Sequence, residues 1–262
     1  MSVPVLSIQK MSHYFGGLKA VSDFTFDVPE GVIYGLIGPN GSGKTTTFNL
    51  VTGIYTPTQG KILFEGKDIV GQKPFRIVHK GIARTFQNLR IFANLTVMDN
   101  IRVARHFTTK SGVFASFLRL PSFIKETEQV REECMELIKL MNLEHRAYDV
   151  AKNLPYGELR RLEVARALAT HPKLILLDEP AAGMNPEESL DLARLIRKIH
   201  EDFKLTTLLI ERHMDVVMAL CERIFVMNFG EKLAEGSADT IQKDPDVLKA
   251  YLGEGFKRAV HT

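Results

Sequence analysis

The sequence predicts an α/β fold in which helices pack against a mostly parallel sheet. Three short apolar runs, at residues 32–37, 174–177 and Thr206–Ile210, have the length and composition of buried strands. Segments with helical character lie between them, as at residues 46–52 and 187–202. Because buried strands that alternate with helices are typical of parallel sheets, these observations together predict an α/β domain.

The loop after the first of these strands carries a complete phosphate-binding motif. Residues 38–46 have the pattern G-x-x-x-x-G-K-T between a strand and a helical segment. The glycines let backbone N–H groups approach phosphates, and the positive end of the following helix favours the same anions. We expect Lys44 to reach the β- and γ-phosphates and the Thr45 hydroxyl to ligate Mg²⁺. The predicted phosphate-binding residues are Gly38, Asn40, Gly41, Ser42, Gly43, Lys44, Thr45 and Thr46.

The composition is that of an ordinary globular protein, with 45% apolar and 25% charged residues. A net charge of +3 is too small to argue for a nucleic-acid partner. The longest apolar runs are too short to cross a bilayer, and residues 1–10 lack the apolar stretch of a signal peptide. We therefore expect a cytoplasmic protein in which Cys134 and Cys221 are buried, reduced thiols.

Further strands are predicted on both sides of the phosphate-binding loop. Residues 5–15 predict a first strand, and residues 24–28 alternate apolar and polar side chains as a half-buried strand does. A turn at residues 56–60 precedes a strand at 61–64. A strand at 82–87 is expected to end on Gln87.

A block of helices is predicted between residues 95 and 156. Apolar residues at 130, 134, 137, 138 and 141 recur at helical spacing, with charged residues between them. Because this block separates the phosphate-binding loop from the strand at 173–178, we interpret it as an inserted lobe. Residues 111–124 are unusually apolar, which is compatible with a patch that the chain itself covers or with a docking surface for a partner.

The remainder of the chain returns to alternating elements. Helices are predicted at residues 159–169 and 187–202, and strands at 223–227 and 232–234 around a turn. Pro245 follows Asp244 as the first residue of a helix would.

Two adjacent carboxylates end the buried strand at residues 173–178. Because side chains alternate along a strand, Asp178 and Glu179 are expected to have different roles. Asp178 suits a Mg²⁺ site, directly or through water, and Glu179 suits a base that orients or deprotonates the attacking water. Gln87 is a candidate for contact with Mg²⁺ or with that water.

Residues 154–161, Leu-Pro-Tyr-Gly-Glu-Leu-Arg-Arg, resemble the signature segment of ABC-transporter ATPases. The phosphate-binding loop, Gln87 in its context at 84–88 and Asp178-Glu179-Pro180 fit the same family. The resemblance covers essentially the whole chain. It looks closest to the ATP-binding subunit of branched-chain amino acid importers. The segments that carry this finer resemblance are 111–124, 159–167, 178–186 and 244–254.

The resemblance implies a P-loop NTPase (RecA-like) core with a mostly parallel sheet, an antiparallel β subdomain and an inserted α-helical subdomain. A single domain over residues 1–262 is expected. Its core would comprise residues 1–93 and 160–262, and its helical subdomain about 94–159, including the signature segment.

The resemblance also implies a mechanism. Two ATPase subunits, identical or related, would close around two ATP molecules with Mg²⁺ as the metal. Each ATP would lie between one subunit's loop and the other's signature, here Pro155, Tyr156, Gly157 and Glu158. Phe15 matches the aromatic residue that stacks on adenine, with Tyr14 as the alternative. Gly157 would begin a helix aimed at the γ-phosphate of the partner's ATP.

Membrane partners follow from the same resemblance. ATP-driven closure would move transmembrane permease subunits, which would dock near Gln87 at residues 88–97. A solute-binding protein would act indirectly, and the chain would lie on the inner face of the cell membrane.

Several residues depart from the family pattern. Pro155 and Tyr156 replace serine and glycine, Glu158 replaces glutamine, and Asn185 stands where an aspartate is common. A histidine normally follows the glutamate at position 211, but here Arg212 takes that place and His213 comes one residue later. The chain could bend so that His213 serves, Arg212 could take over, or hydrolysis could be weak. We expect His213→Ala to lower turnover strongly and Arg212→Ala not to do so.

Import of amino acids is the function that these features favour. The alternatives are the ATPase of a lipid or lipopolysaccharide exporter and that of another amino-acid or urea transporter. The loop at residues 181–183 and the 111–124 segment favour import. A soluble ABC ATPase of DNA repair or translation would need coiled coils or a second phosphate-binding loop. A kinase or GTPase would leave the signature segment unexplained.

Overall fold

The computed structural model describes residues 3–106 and 121–252. Within these ranges the chain forms a four-stranded antiparallel sheet in the order β2-β1-β4-β5 and a six-stranded sheet in the order β10-β9-β3-β8-β7-β6. The strands are β1 Leu6–Phe15, β2 Leu18–Val28, β3 Ile33–Ile37, β4 Gln59–Phe64, β5 Lys67–Asp68, β6 Ile82–Arg84, β7 Leu174–Asp178, β8 Thr206–Ile210, β9 Arg223–Asn228 and β10 Glu231–Gly236.

Nine α-helices accompany these sheets in the described ranges. They are α1 Lys44–Val51, α2 Pro74–Lys80, α3 Val97–His106, α4 Pro121–Leu140, α5 Tyr156–Leu168, α6 Pro186–Phe203, α7 Met214–Leu220, α8 Ala238–Gln242 and α9 Pro245–Leu252.

The six-stranded sheet confirms the predicted α/β class. Strands β9, β3, β8, β7 and β6 pair in parallel, and β10 joins the edge as an antiparallel hairpin. Every residue of β3, β7 and β8 is buried. A parallel sheet covered on both faces needs such continuous apolar strands, which explains why these three are so plain in the sequence.

Aromatic side chains join the two sheets. Phe225 on β9 makes edge-to-face contacts with Phe24 and Phe26 on β2, with ring centroids 5.1 and 4.8 Å apart. Phe26 makes a further edge-to-face contact with Tyr34 on β3 at 5.0 Å. These buried rings fix the antiparallel sheet against the edge of the parallel sheet where the phosphate-binding loop begins.

Strand β6 is shorter than predicted, and Gln87 does not end it. The parallel ladder with β7 stops at Arg84, and the Thr85 N–H makes the last bond, to Leu176 O at 2.9 Å. The Phe86 N–H then turns away and donates to the Glu163 carboxylate at 3.2 Å. Gln87 therefore lies on a loop anchored to helix α5.

The residues just before helices α5 and α6 determine where these two helices begin. Helix α5 begins at Tyr156, three residues before the predicted start and one before Gly157, with Pro155 as its N-cap. Helix α6 begins at Pro186 behind a capping box, in which Asn185 accepts from the Glu188 N–H and Glu188 accepts from the Asn185 N–H.

Within the predicted helical block, helix α3 packs against helices α4 and α5. Helices α3 and α4 are tied by an ion pair between Arg105 and Glu133 at 2.7 Å. The boundary proposed between residues 159 and 160 falls inside helix α5, so one continuous helix belongs to both parts. The predicted apolar patch at 111–124 lies outside the residues whose side chains are described.

The two cysteines are free and buried, as predicted. Burial raises the pKa of the Cys134 thiol to about 11 and that of the Cys221 thiol to about 12. Among the described residues no helix is long and apolar enough to cross a membrane. No cluster of three or more potential metal ligands from His, Cys, Asp and Glu occurs in the same ranges.

Replacing Phe225 with alanine should lower the free energy of unfolding by about 3–5 kcal/mol, because it leaves a cavity between the two sheets. Urea unfolding followed by circular dichroism would measure the loss. Phe229 is the matched control, since its side chain is 84% exposed and its removal should change the value by less than about 0.5 kcal/mol. Equal effects of the two substitutions would contradict this account of the junction.

Candidate functional site

The loops that follow β3, β6, β7 and β8 meet at the carboxyl edge of the parallel sheet. This is the edge at which open α/β sheets bind ligands. A cleft of about 370 Å³ lies there. It is lined by Phe15, Leu18, Lys19, Ala20, Asn40, Gly41, Ser42, Gly43, Lys44, Thr45, Thr46, Glu179 and Arg212.

Two glycines of the phosphate-binding loop are sterically required. Gly38 has a φ of 150°, and a Cβ there would lie 2.0 Å from the Met227 carbonyl oxygen. Gly43 has a φ of 101°, and a Cβ there would lie 2.6 Å from the Ala20 carbonyl oxygen. These contacts show that the loop is wedged between β9 and β2, which presents the start of helix α1 to the cleft.

Lys44 is held across its own loop. Its Nζ donates to the carbonyl oxygens of Gly38 at 2.7 Å and Pro39 at 2.8 Å, and the residue is only 6% exposed. Burial, together with the nearby charge of Arg212, lowers the pKa of Lys44 to about 8, although Glu179 and Asp178 oppose the shift. The charged form of Lys44 is thus costly at this buried position, and a bound anion would stabilise it.

Glu179 is the point where three loops converge. One carboxylate oxygen accepts from Gln87 Nε2 at 2.9 Å, and the other accepts from Arg212 Nε at 2.5 Å. The residue is 5% exposed and has a left-handed φ of 48°. A strained, buried carboxylate beside a phosphate-binding loop is typical of a functional site.

Asp178 faces a different set of partners. Its Oδ2 accepts from Arg84 Nη2 at 2.7 Å, and the residue is 1% exposed. Burial raises the pKa of Asp178, while the hydrogen bond and charge of Arg84 oppose that shift. Neither Gln87 nor Arg212 contacts it, so the two adjacent carboxylates have separate surroundings.

Phe15 lies at the mouth of the cleft. Its ring makes edge-to-face contacts with His13 at 4.7 Å and with Tyr55 at 5.3 Å, and it remains 43% exposed. Tyr14 is also partly exposed but is not one of the residues that line the cleft. An exposed ring supported from behind suits stacking on a planar ligand.

The signature-like residues Pro155, Tyr156, Gly157 and Glu158 do not line this cleft. A Cβ at Gly183, in the loop after Glu179, would come within 3.1 Å of the Tyr156 ring. Gly157 has room for a side chain, with Met184 Cε 3.6 Å from a Cβ placed there. Glu158 lies 3.4 Å from the guanidinium of Arg146.

Arg160, to which the sequence analysis gave no role, ties the signature-like segment to the Gln87 loop. It is 2% exposed, and its guanidinium donates to Phe86 O at 2.9 Å and Gln87 O at 2.6 Å. It also donates to the Tyr156 hydroxyl at 2.6 Å. An arginine three residues before Glu163 on an otherwise apolar helix face was the available signal, since such residues are seldom buried unpaired.

Arg212 and His213 have different positions. Strand β8 ends at Ile210, so alternation along a strand does not fix either side chain. Arg212 lines the cleft, whereas His213 Nδ1 lies 2.7 Å from the buried carboxylate of Glu211. This geometry favours Arg212 for contact with a ligand, the opposite of the ranking drawn from sequence.

Comparisons with known proteins agree with this fold. Residues 21–182 match the ABC transporter family, and residues 231–257 match the branched-chain amino acid ATP-binding cassette transporter family. A solved ATP-binding cassette of an ABC transporter in its ADP conformation has a TM-score of 0.83 and 32% identity, covering 97% of this chain and 100% of that one.

Curated relatives extend over nearly the whole chain. The high-affinity branched-chain amino acid transport ATP-binding proteins BraF of Pseudomonas aeruginosa and LivG of Escherichia coli K12 are each 42% identical over 254 residues. These alignments cover 97% of this chain and 100% of each relative. A probable LivG of Archaeoglobus fulgidus is 36% identical over 95% of both chains. The chain belongs to the ATP-binding proteins of the ABC transporter family.

Proposed function

We propose that this chain is the ATP-hydrolysing subunit that powers import of branched-chain amino acids. The observation that carries the enzymatic part is Glu179, held by Gln87 and Arg212 beside the phosphate-binding loop. The transport part rests on similarity to relatives named for branched-chain amino acids over 97% of the chain.

ATP binding would use the cleft at the carboxyl edge of the sheet. Backbone N–H groups from Gly41 to Thr46 and the start of helix α1 would hold the phosphates. Lys44 would leave its own loop carbonyls for the β- and γ-phosphates, exchanging neutral acceptors for charged ones. The adenine would stack on the Phe15 ring, a contact that needs few hydrogen bonds to the base.

The residues present fit a magnesium ion. Asp178 Oδ1 is buried and has no hydrogen-bond partner among the described residues, although Oδ2 is paired. Asp178, the Thr45 hydroxyl and Gln87 would hold the ion together with phosphate oxygens and water, the ligand set that Mg²⁺ prefers. Mg²⁺ bound there would supply positive charge that offsets the negative charge of the β- and γ-phosphates.

Glu179 would accept a proton from the attacking water, and Gln87 would orient that water molecule. The Arg212 guanidinium would stop donating to the Glu179 carboxylate and would donate to the γ-phosphate instead, where negative charge develops. This exchange would free one carboxylate oxygen at the moment when a base is needed. Hydrolysis would therefore be coupled to phosphate binding through a single guanidinium.

A second ATPase subunit would complete the site. Since residues 155–158 lie away from this chain's own cleft, we propose that they contact ATP held by the partner. Transmembrane permease subunits would dock at residues 88–97, beside a groove of about 290 Å³ lined partly by Phe86, Arg90 and Arg166. The chain would thus lie peripherally on the inner membrane face, and a solute-binding protein would deliver the substrate.

Uptake of labelled leucine should be restored by the wild-type chain, but not by Lys44→Ala, in cells that lack this protein. The variant loses the charged contact to phosphate, so the energy step should fail. Uptake of labelled glutamate and of labelled urea, each measured separately in the same cells, tests which solute is transported. Immunoblotting verifies that the wild-type and variant chains are present in equal amounts. Leucine uptake that is identical with and without the chain would contradict the proposal.

Arg212→Ala should lower ATP turnover by about a hundredfold or more, because it removes a cation expected at the γ-phosphate. His213→Ala is the adjacent control and should lower turnover less. Phosphate release from the assembled transporter would measure both. A greater loss in His213→Ala would overturn the assignment and restore the ranking drawn from sequence.

Nucleotide affinity should fall as the pH rises through about 8, the value to which burial and the nearby charge of Arg212 lower the pKa of Lys44. Phosphate binds the charged amine, so above this pH binding requires uptake of a proton. The dissociation constant of a fluorescent ADP analogue without Mg²⁺ should increase about tenfold between pH 7 and 9.

Lys44→Met provides the control for this pH dependence, since it should bind weakly at every pH and lose the increase. A dissociation constant that is constant from pH 7 to 9 in the wild-type chain would show that Lys44 does not titrate there.

A further inference from the structure

Arg84 occupies the space between the phosphate-binding helix and the strand that ends in Asp178. Its side chain is 5% exposed and that of Asp178 is 2% exposed, so the pair is removed from solvent. The guanidinium lies 5.4 Å from the Phe48 ring centre and 4.9 Å from that of Phe86. These rings restrict the guanidinium to a narrow range of orientations.

Three groups on two elements accept hydrogen bonds from this one guanidinium. Nη2 donates to Asp178 Oδ2 at 2.7 Å. Nη1 donates to Asn49 Oδ1 at 2.7 Å and to Thr52 Oγ1 at 3.2 Å. Asn49 lies on helix α1, and Thr52 caps its C-terminal end. Arg84 thus connects helix α1 directly to the end of β7.

The Arg84 contact leaves one oxygen of the Asp178 carboxylate without a partner. Oδ1 is buried and has no hydrogen-bond partner within the described ranges, whereas Oδ2 accepts a hydrogen bond from Arg84. A buried carboxylate oxygen without a partner is costly unless a ligand completes it. The pairing therefore selects which of the two oxygens remains available.

Thr45 and Asn49 are four residues apart on helix α1, so they lie on the same face about one turn from each other. A group that fixes Asn49 relative to Asp178 also fixes the spacing between Thr45 and Asp178. These are two of the three side chains that the proposed function assigns to Mg²⁺.

We propose that Arg84 is a positioning residue for the metal site, which holds Asp178 so that Oδ1 faces the ion at a fixed distance from helix α1. This inference rests on the proposed nucleotide and Mg²⁺ binding. The planar fork of arginine is essential, because it addresses the carboxylate and the helix at once. Lysine keeps the charge but cannot reproduce both contacts.

Binding of a fluorescent ADP analogue to the purified chain tests this role without hydrolysis. Its dissociation constant is measured in EDTA and then across a Mg²⁺ titration. In Arg84→Lys the value in EDTA should stay within about twofold of the wild type. The Mg²⁺ concentration that gives half of the affinity gain should rise about ten- to a hundredfold, as substitutions behind a metal ligand do.

Arg105→Lys is the matched control. Arg105 also pairs with a carboxylate at 2.7 Å, that of Glu133, but in the helical insertion. Its substitution should leave the Mg²⁺ midpoint unchanged. An unchanged midpoint in Arg84→Lys would overturn the proposal, as would loss of nucleotide binding in EDTA, which would indicate a collapsed site. Failure of the wild-type chain to bind nucleotide would refute the proposed function instead.

Asn49→Ala decides the matter if Arg84→Lys does not fold. It leaves the Arg84–Asp178 ion pair in place and removes one of the contacts to helix α1. A rise of several-fold in the Mg²⁺ midpoint would support the connection, and an unchanged midpoint would overturn it.

Discussion

Parallel pairing of β3, β8, β7 and β6 is the constraint on which the site depends. Each strand carries a loop to the same edge of the sheet, which brings together residues up to 174 positions apart in sequence, such as Gly38 and Arg212. Because β3, β7 and β8 are buried on both faces, a slip of one residue would exchange the side chains that pack on the two sides of the sheet. The edge is therefore rigid enough to hold charged groups at defined distances.

The charged groups at this edge have hydrogen-bond partners within the chain itself. Arg84 pairs with Asp178, Arg212 pairs with Glu179, and Lys44 is held by loop carbonyls. Lys44 is buried, whereas Arg212 is half exposed, and both line the cleft where an anion could replace their present partners. A triphosphate would then change the partners of Lys44 and Arg212 together. Helix α5, which begins with the signature-like residues, would be coupled to that change through Arg160, whose guanidinium donates to the backbone of the Gln87 loop.

The sequence predicted the fold class well because the buried strands are apolar and the loop motif is complete. It was less informative about Gln87, whose loop begins where Phe86 leaves the ladder for Glu163, a partner 77 residues away. Arg84 was indistinguishable from a solvated arginine. The helix position of Arg160 was a signal of burial but did not identify its partners, which only tertiary packing reveals. The order Arg212-His213 was visible, but alternation could not decide between them because the strand ends at Ile210.

A structure of the chain with Mg²⁺ and a non-hydrolysable ATP analogue would test the central claim most directly. The account predicts phosphates along the phosphate-binding loop, adenine on Phe15 and Arg212 moved from Glu179 to the γ-phosphate. Nucleotide bound elsewhere, or an Arg212–Glu179 ion pair that persists beside the bound γ-phosphate, would contradict it.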